Sequence, residues 1–323
     1  MPVLHSDRRF VLKSLLAASA VFCLPSCISG THFDGSFLQL WPSHLDLPPN
    51  AWKKRFDILR QAQCQDLFVQ WVGIEDGNNS WRASQAFMDM LFDLAGERSI
   101  GLHLGLPYHQ NWWAILKAKD FAELDTFFAQ TLNSATRYIE ESPLSSHANF
   151  RGWYIPYELE QYHWGTASSQ EKLIPWLQSL SNIATTDKGL QPAISTYFSQ
   201  LPTDGSLVSL WSNILDHANL YPMIQDGVGV AGLGNYEALV PLQQLFNTRQ
   251  IRYDLIVELF HQLSDDTKQE KFLATSASPS RVRKQMEVAS SFGATRIVAF
   301  AIDPWLTDDT APAQRLRQAL IKN

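Results

Sequence analysis

Two glutamates a hundred residues apart, Glu158 and Glu258, each close a short apolar run. Glu158 follows Gly152-Trp153-Tyr154-Ile155-Pro156-Tyr157, and Glu258 follows Tyr253-Asp254-Leu255-Ile256-Val257. If both runs are strands, their period of two puts Tyr154, Pro156 and Glu158 on one face and Asp254, Ile256 and Glu258 on one face, so the two acids can point inward together. Two carboxyl groups meeting over one pocket can cleave a glycosidic bond. One protonates the departing oxygen while the other attacks the anomeric carbon or activates water. Burial beside aromatic rings lets a carboxyl keep its proton to higher pH, and Tyr157, Tyr162, His163 and Trp164 crowd Glu158, which makes it the expected acid. Glu160, of matching parity, competes for that role and is expected in the following loop. The plain alternative for Glu258 is pairing with a barrel-lining Arg or Lys.

The elements that must present these acids alternate strand and helix. Strands are expected at 37–41, 66–72, 100–106, 150–157, 191–197, 219–225, 252–260 and 295–302. Helices are expected at 52–63, 83–98, 120–141, 168–185, 207–217, 236–248, 280–292 and 313–321. In the third helix, Leu124, Phe127, Phe128, Leu132 and Ala135 form one stripe. Eight alternations without linker or repeat predict one (β/α)8 TIM barrel over 37–323. A doubly wound sheet would alternate likewise, so the count decides. No Gly-x-Gly-x-x-Gly opens the first helix, and although Gly227, Gly229 and Gly232 are suggestively spaced, Pro222 and Asp226 do not suit a phosphate cradle; no cofactor is expected.

Reacting residues of such barrels hang from the C-terminal strand ends. Trp41, Trp71, Trp112, Trp113, Trp164 and Trp305 fall at those ends or in the loops beyond, as do Tyr108, Tyr162 and Tyr197. Flat rings there suit the C–H faces of sugars, so Trp41, Trp71, Tyr108, Trp112, Trp113, Tyr197 and Trp305 are candidate substrate contacts. Gln39, Gln70 and Gln225 are placed to read hydroxyls or to pack. Asp226, before Gly227, can bind a hydroxyl, tune a neighbouring acid or form a turn. Trp52, Trp176 and Trp211 belong to helices and are expected in the core, with His103 also a core residue and Trp153 facing the helix layer.

A hydrophobic content of 45% with 18% charged residues is that of a globular chain. The net charge of -6 and pI near 5.8 argue against a nucleic-acid partner. The leader carries Arg8-Arg9-Phe10-Val11-Leu12-Lys13 before the apolar run from Ser14 to Leu24, too short to span a bilayer. It reads as an export signal over 1–26, resembling the twin-arginine kind, with Sec export the alternative. Leu24-Pro25-Ser26-Cys27 resembles a lipobox, making Cys27 the lipidated N-terminus of an envelope protein tethered by 27–36, with Ile28 favouring the outer membrane, facing the periplasm. Cys23 leaves with the signal and Cys27 takes lipid, so Cys64 is left without a disulfide partner, and no thiolate or His-Glu-x-x-His metal site is expected.

An acid on the fourth strand and a nucleophile on the seventh resemble the superfamily of retaining barrel glycosidases. More narrowly, Gly152-Trp153-Tyr154-Ile155 to Glu158, Ile224-Gln225-Asp226-Gly227-Val228-Gly229 and Phe37-Leu38-Gln39-Leu40-Trp41 resemble the bacterial family called domain of unknown function 4434, described as glycosyl-hydrolase-like, from about Phe33 to Trp305. The resemblance implies Glu158 as acid/base and Glu258 as nucleophile, acting on a polysaccharide or oligosaccharide. Tyr157 departs from it, standing where many of these hydrolases carry Asn. A carbohydrate-binding lipoprotein without catalysis is the rival reading.

Overall fold

The computed structural model describes residues 32–186, 189–264 and 272–321. The expected leader, Cys27 and the start of the tether lie outside these residues.

Eight parallel strands close into a barrel: β1 (Gly35–Leu38), β2 (Asp66–Val69), β3 (Gly101–Gly105), β4 (Phe150–Leu159), β5 (Ala193–Thr196), β6 (Tyr221–Gln225), β7 (Asp254–Glu258) and β8 (Arg296–Phe300). They neighbour one another in chain order, and β8 closes on β1. The main helices are α1 (Pro49–Gln61), α2 (Gln85–Gly96), α3 (Phe121–Glu141), α4 (Ala167–Ala184), α5 (Leu207–His217), α6 (Asn235–Thr248), α7 (Pro279–Ser291) and α8 (Ala311–Leu320). The expected TIM barrel is therefore the fold. Helix starts follow local chemistry: Asp120 accepts from the Ala122 and Glu123 N–H groups at 2.9 and 3.2 Å, and Ser278 precedes Pro279 to open α7.

Inward positions fill the barrel with Phe37, Phe68, Tyr154, Met223, Ile256 and Val298, interleaved with small Ala193. Outward positions meet the helices: Trp153 packs edge-on against Tyr138 and Phe150. Trp52, Trp176 and Trp211 are buried in the same layer, as expected of helix residues.

Several boundaries differ from the sequence reading. The barrel begins before residue 37, because Phe33 is buried, Asp34 accepts from the Ile297 N–H at 2.7 Å, and Gly35 and Ser36 already pair with β2 and β8. The expected tether over 27–36 therefore loses its last residues to the barrel. Strand β4 runs past Tyr157 through Glu158, with a register irregularity between Ile155 and Leu159. Pro156 has no N–H for a ladder, and a bulge at a strand end re-aims the side chain it carries. The seventh expected strand divides, since β7 ends at Glu258 and Phe260–Gln262 forms a hairpin with Ala274–Ser276. Beyond the eight alternations, a small sheet joins Gly73–Glu75 to Trp81–Arg82 and Tyr108–His109 at the C-terminal mouth.

At the opposite end the barrel is closed by charge. Arg296 donates to Asp66 at 2.8 Å and approaches Asp254 at 2.7 Å, while the Tyr221 hydroxyl donates to Asp254 at 2.8 Å. His103, expected in the core, is buried there and stacks on Phe68 at 4.0 Å.

Candidate active site

Glu158 leaves the bulged end of β4 facing the mouth. Gln225, at the end of β6, donates through Nε2 to Glu158 Oε1 at 2.8 Å and to Ser195 Oγ at 3.3 Å, and Ser195 in turn bonds the Tyr154 hydroxyl at 2.8 Å. Three strands thus fix one carboxyl. Burial raises its pKa, opposed by the Gln225 amide. The Glu158 charge in turn helps raise the Tyr108 and Tyr197 hydroxyls above their usual range, after burial, which places both rings near it. Through these bonds Gln225 orients the acid.

Glu258 ends β7, 5% exposed. Its Oε2 accepts the Gly229 N–H at 2.7 Å, and a Cβ at Gly229 would stand 2.8 Å from that same oxygen, so only glycine lets the backbone come this close. Burial raises the Glu258 pKa most, the Asp226 charge adds to it, and Glu158 pushes the same way; the Gly229 N–H and Arg281 oppose. The two glutamates therefore feel each other across the mouth. Among the described residues, no Lys or Arg lies within ion-pair distance of either carboxyl group. Arg281 stays beside Glu258 but donates to backbone oxygens, those of Glu258 at 2.8 Å and Phe260 at 2.6 Å.

Asp226 requires a correction as a substrate contact. It is fully buried, and its carboxylate accepts from the Val228 and Glu258 N–H groups, the Tyr236 hydroxyl at 2.9 Å and Gln285 Nε2 at 2.7 Å. With both oxygens occupied, it braces the β6 turn against β7 and raises Glu258. Glu160 is not a second acid either: it caps the helix Gln161–Trp164, accepting from the His163 N–H at 3.0 Å and contacting the His163 ring.

The aromatic residues divide. A cavity of about 240 Å³ opens beside Glu158, with Trp41, Trp71, Tyr108 and Trp113 among its walls. Trp41 and Trp113 are 41% and 38% exposed. Trp71 stacks on Tyr108 at 5.3 Å and donates its Nε1–H to the Leu40 carbonyl at 2.6 Å, so its ring is held rigidly. Trp112 also lines this cavity, yet it is fully buried, its ring packed among Tyr157, Trp164 and Trp176. Tyr157 points into that layer too, away from the mouth. Tyr197 lies 6.3 Å from Trp113 at the rim, and Trp305 packs on Phe260 at 5.8 Å, on the β8 side and outside this cavity.

Sequence reasoning did not find Gly229, Ser195 or Gln110. Gly229 carried a signal, a small residue inside the Gln-Asp-Gly-Val-Gly turn; Ser195 and Gln110 carried none. Among the described residues, no group of three or more His, Cys, Asp or Glu side chains is arranged to hold a metal. Cys64 is buried, and burial pushes its thiol well above the usual range.

No curated protein matches the chain. Solved structures do. A candidate alpha-L-fucosidase of Bacteroides thetaiotaomicron VPI-5482 superposes with a TM-score of 0.66 at 15% identity, over 91% of this chain and 96% of that one. A chitinase of Chromobacterium violaceum ATCC 12472 gives 0.54 at 12% identity, over 89% and 98%. A beta-galactosidase of the psychrophilic Marinomonas ef1 gives 0.56 at 8% identity, over 87% and 56%. At these identities the likeness is one of fold alone, the closed eight-stranded parallel barrel. A family model matches residues 33–314, and the chain belongs to the family described as domain of unknown function (DUF4434).

Proposed function

We propose that this protein is a glycoside hydrolase that acts on a polysaccharide or oligosaccharide through Glu158 and Glu258, with retention at the anomeric carbon. The observation that carries the reading is the placing of two carboxyl groups at the mouth ends of β4 and β7, Glu158 half-buried at an open cavity and Glu258 buried, each raised in pKa and neither met by a cationic side chain among the described residues. Glu158 borders the open cavity and so is the group that can reach a glycosidic oxygen. Glu258 is the nucleophile, aligned by the Gly229 N–H; burial and the Asp226 charge raise its pKa to about 8 against the Gly229 N–H and the Arg281 charge, so it attacks from its ionised fraction.

In the first step Glu158 gives its proton to the departing oxygen, the C1–O bond breaks, and a Glu258 oxygen bonds C1. Water then loses a proton to Glu158 and displaces Glu258, restoring both groups. The rings of Trp41, Trp71, Tyr108 and Trp113 support a carbohydrate ligand through stacking.

The test is a glycan panel incubated with the parent and with Glu158→Gln and Glu258→Gln. We expect each substitution to lower turnover by about 10²–10⁴-fold, with the parent's product formed in the substrate's anomeric configuration by NMR. Equal product from all three proteins would reject the mechanism, and binding without turnover by the parent would establish the rival reading of an inert binder.

The leader supports a location for this activity: exported and anchored through a lipid on Cys27, in the outer membrane facing the periplasm. A Cys27→Ser form that still incorporates labelled fatty acid and stays with the membrane would end that proposal.

A further inference from the structure

The cavity beside Glu158 also carries information about the sugar. Three amides, Gln39, Gln70 and Gln110, share its walls with the aromatic rings. Gln70 follows β2 and is 4% exposed, yet its buried carbonyl Oε1 has no hydrogen-bond partner in the protein. An unmet buried acceptor costs about 1–3 kcal/mol, and a hydroxyl donor entering the cavity recovers it. Charge points the same way. The described lining includes the Glu158 carboxyl and no Lys, Arg or His. An anionic ligand would face that carboxyl, with Glu258 beyond it, and find no cation to offset its desolvation.

Building on the carbohydrate reading above, we propose that this cavity is a subsite for a single uncharged sugar ring, which stacks on Trp41 and Trp113 and donates a hydroxyl to Gln70 Oε1. Sugars bearing carboxylate or sulfate are excluded from it, because no counter-charge stands among its described lining residues. The cavity, at about 240 Å³, is below the usual range for drug-sized ligands and suits one ring. Three amides supply both donors and acceptors for the remaining hydroxyls.

The test titrates the full-length chain, followed by tryptophan fluorescence, with the methyl glycosides of glucose, galactose, xylose and N-acetylglucosamine, and with those of glucuronic and galacturonic acid. At least one neutral glycoside is expected to bind, its uronic counterpart at least about tenfold more weakly. Gln70→Leu should weaken the neutral ligand by about tenfold, the loss of one hydrogen bond. Trp113 is 38% exposed, so Trp113→Ala should fold as the parent does, verified by its melting curve, and weaken the same ligand at least as much. A uronide that binds as tightly as its neutral partner, neutral binding unchanged in both variants, or no binding by any neutral glycoside overturns the subsite. Failure of the hydrolase reading looks different: the neutral preference persists while no glycan is cleaved, or while Glu158→Gln cleaves as well as the parent.

Discussion

Strand β7 carries an acid at each end of the barrel, Asp254 at the closed floor and Glu258 at the mouth, four residues apart on one inward face, and their surroundings are opposite. Asp254 is fully buried, with Arg296 at 2.7 Å, and Arg296 also holds Asp66. Burial pulls Arg296 down, but Asp254 and Asp66 outweigh it and keep the guanidinium firmly charged. Burial likewise raises Asp66, and here His103 and Arg296 win, leaving that carboxyl below its usual range. Glu258 has no such partner among the described residues, and the charge that acts on it most is that of Asp226, which repels it. Burial raises both acids of the strand, but Arg296 on β8 and the Tyr221 hydroxyl oppose it for Asp254 at the floor, whereas the Asp226 turn after β6 adds to it for Glu258 at the mouth.

The largest effect that tests this contrast is at the floor. Arg296→Met removes the one guanidinium that serves Asp66 and Asp254 and leaves two carboxyls in place. Stripping one partner from a buried ion pair costs about 3–5 kcal/mol, and the partly exposed Arg296 should fall toward the lower figure. Urea denaturation at neutral pH measures it, and turnover per folded molecule should stay as in the parent, because the floor lies at the far end of the barrel. A loss under about 1 kcal/mol would show that the floor does not depend on its charges.

The sequence showed the barrel because its evidence is local: each strand and helix writes its period in side chains that must face either the interior or the helix layer. It also showed the two glutamates, since parity along β4 and β7 survives even the bulge at Pro156. What it did not show depends on distance between strands. Asp226 read as a free turn acid because nothing nearby in sequence reveals that Tyr236 and Gln285 fold back to occupy its oxygens. Trp112 and Trp113 are adjacent and chemically identical, yet one is fully buried and the other 38% exposed, since successive helix positions point in directions a third of a turn apart. The floor cluster of Asp66, Asp254 and Arg296 likewise comes from three strands brought together only by closure.

A smaller effect is the mouth's share of the pH dependence of stability. A carboxyl raised in the folded state binds its proton more tightly there than in the unfolded chain, so stability falls as pH rises above the ordinary value of 4.5 toward the folded one; Glu158 and Glu258 act in this direction. Asp66 is lowered, so its contribution is present above 3.8 and is lost as pH falls below it. Asp254 at the floor is raised by burial too and acts in the same direction as the mouth acids, so a substitution at the mouth is needed to isolate their share. Glu258→Gln removes the titrating group and its repulsion with Asp226, while a side-chain oxygen remains to accept the Gly229 N–H. It should flatten the slope and stand about 1 kcal/mol above the parent at pH 7, the worth of less than one unit of the raised pKa. Urea midpoints at four pH values between 5 and 8 measure both quantities. Parallel curves for parent and variant would mean that Glu258 carries no extra proton in the folded protein.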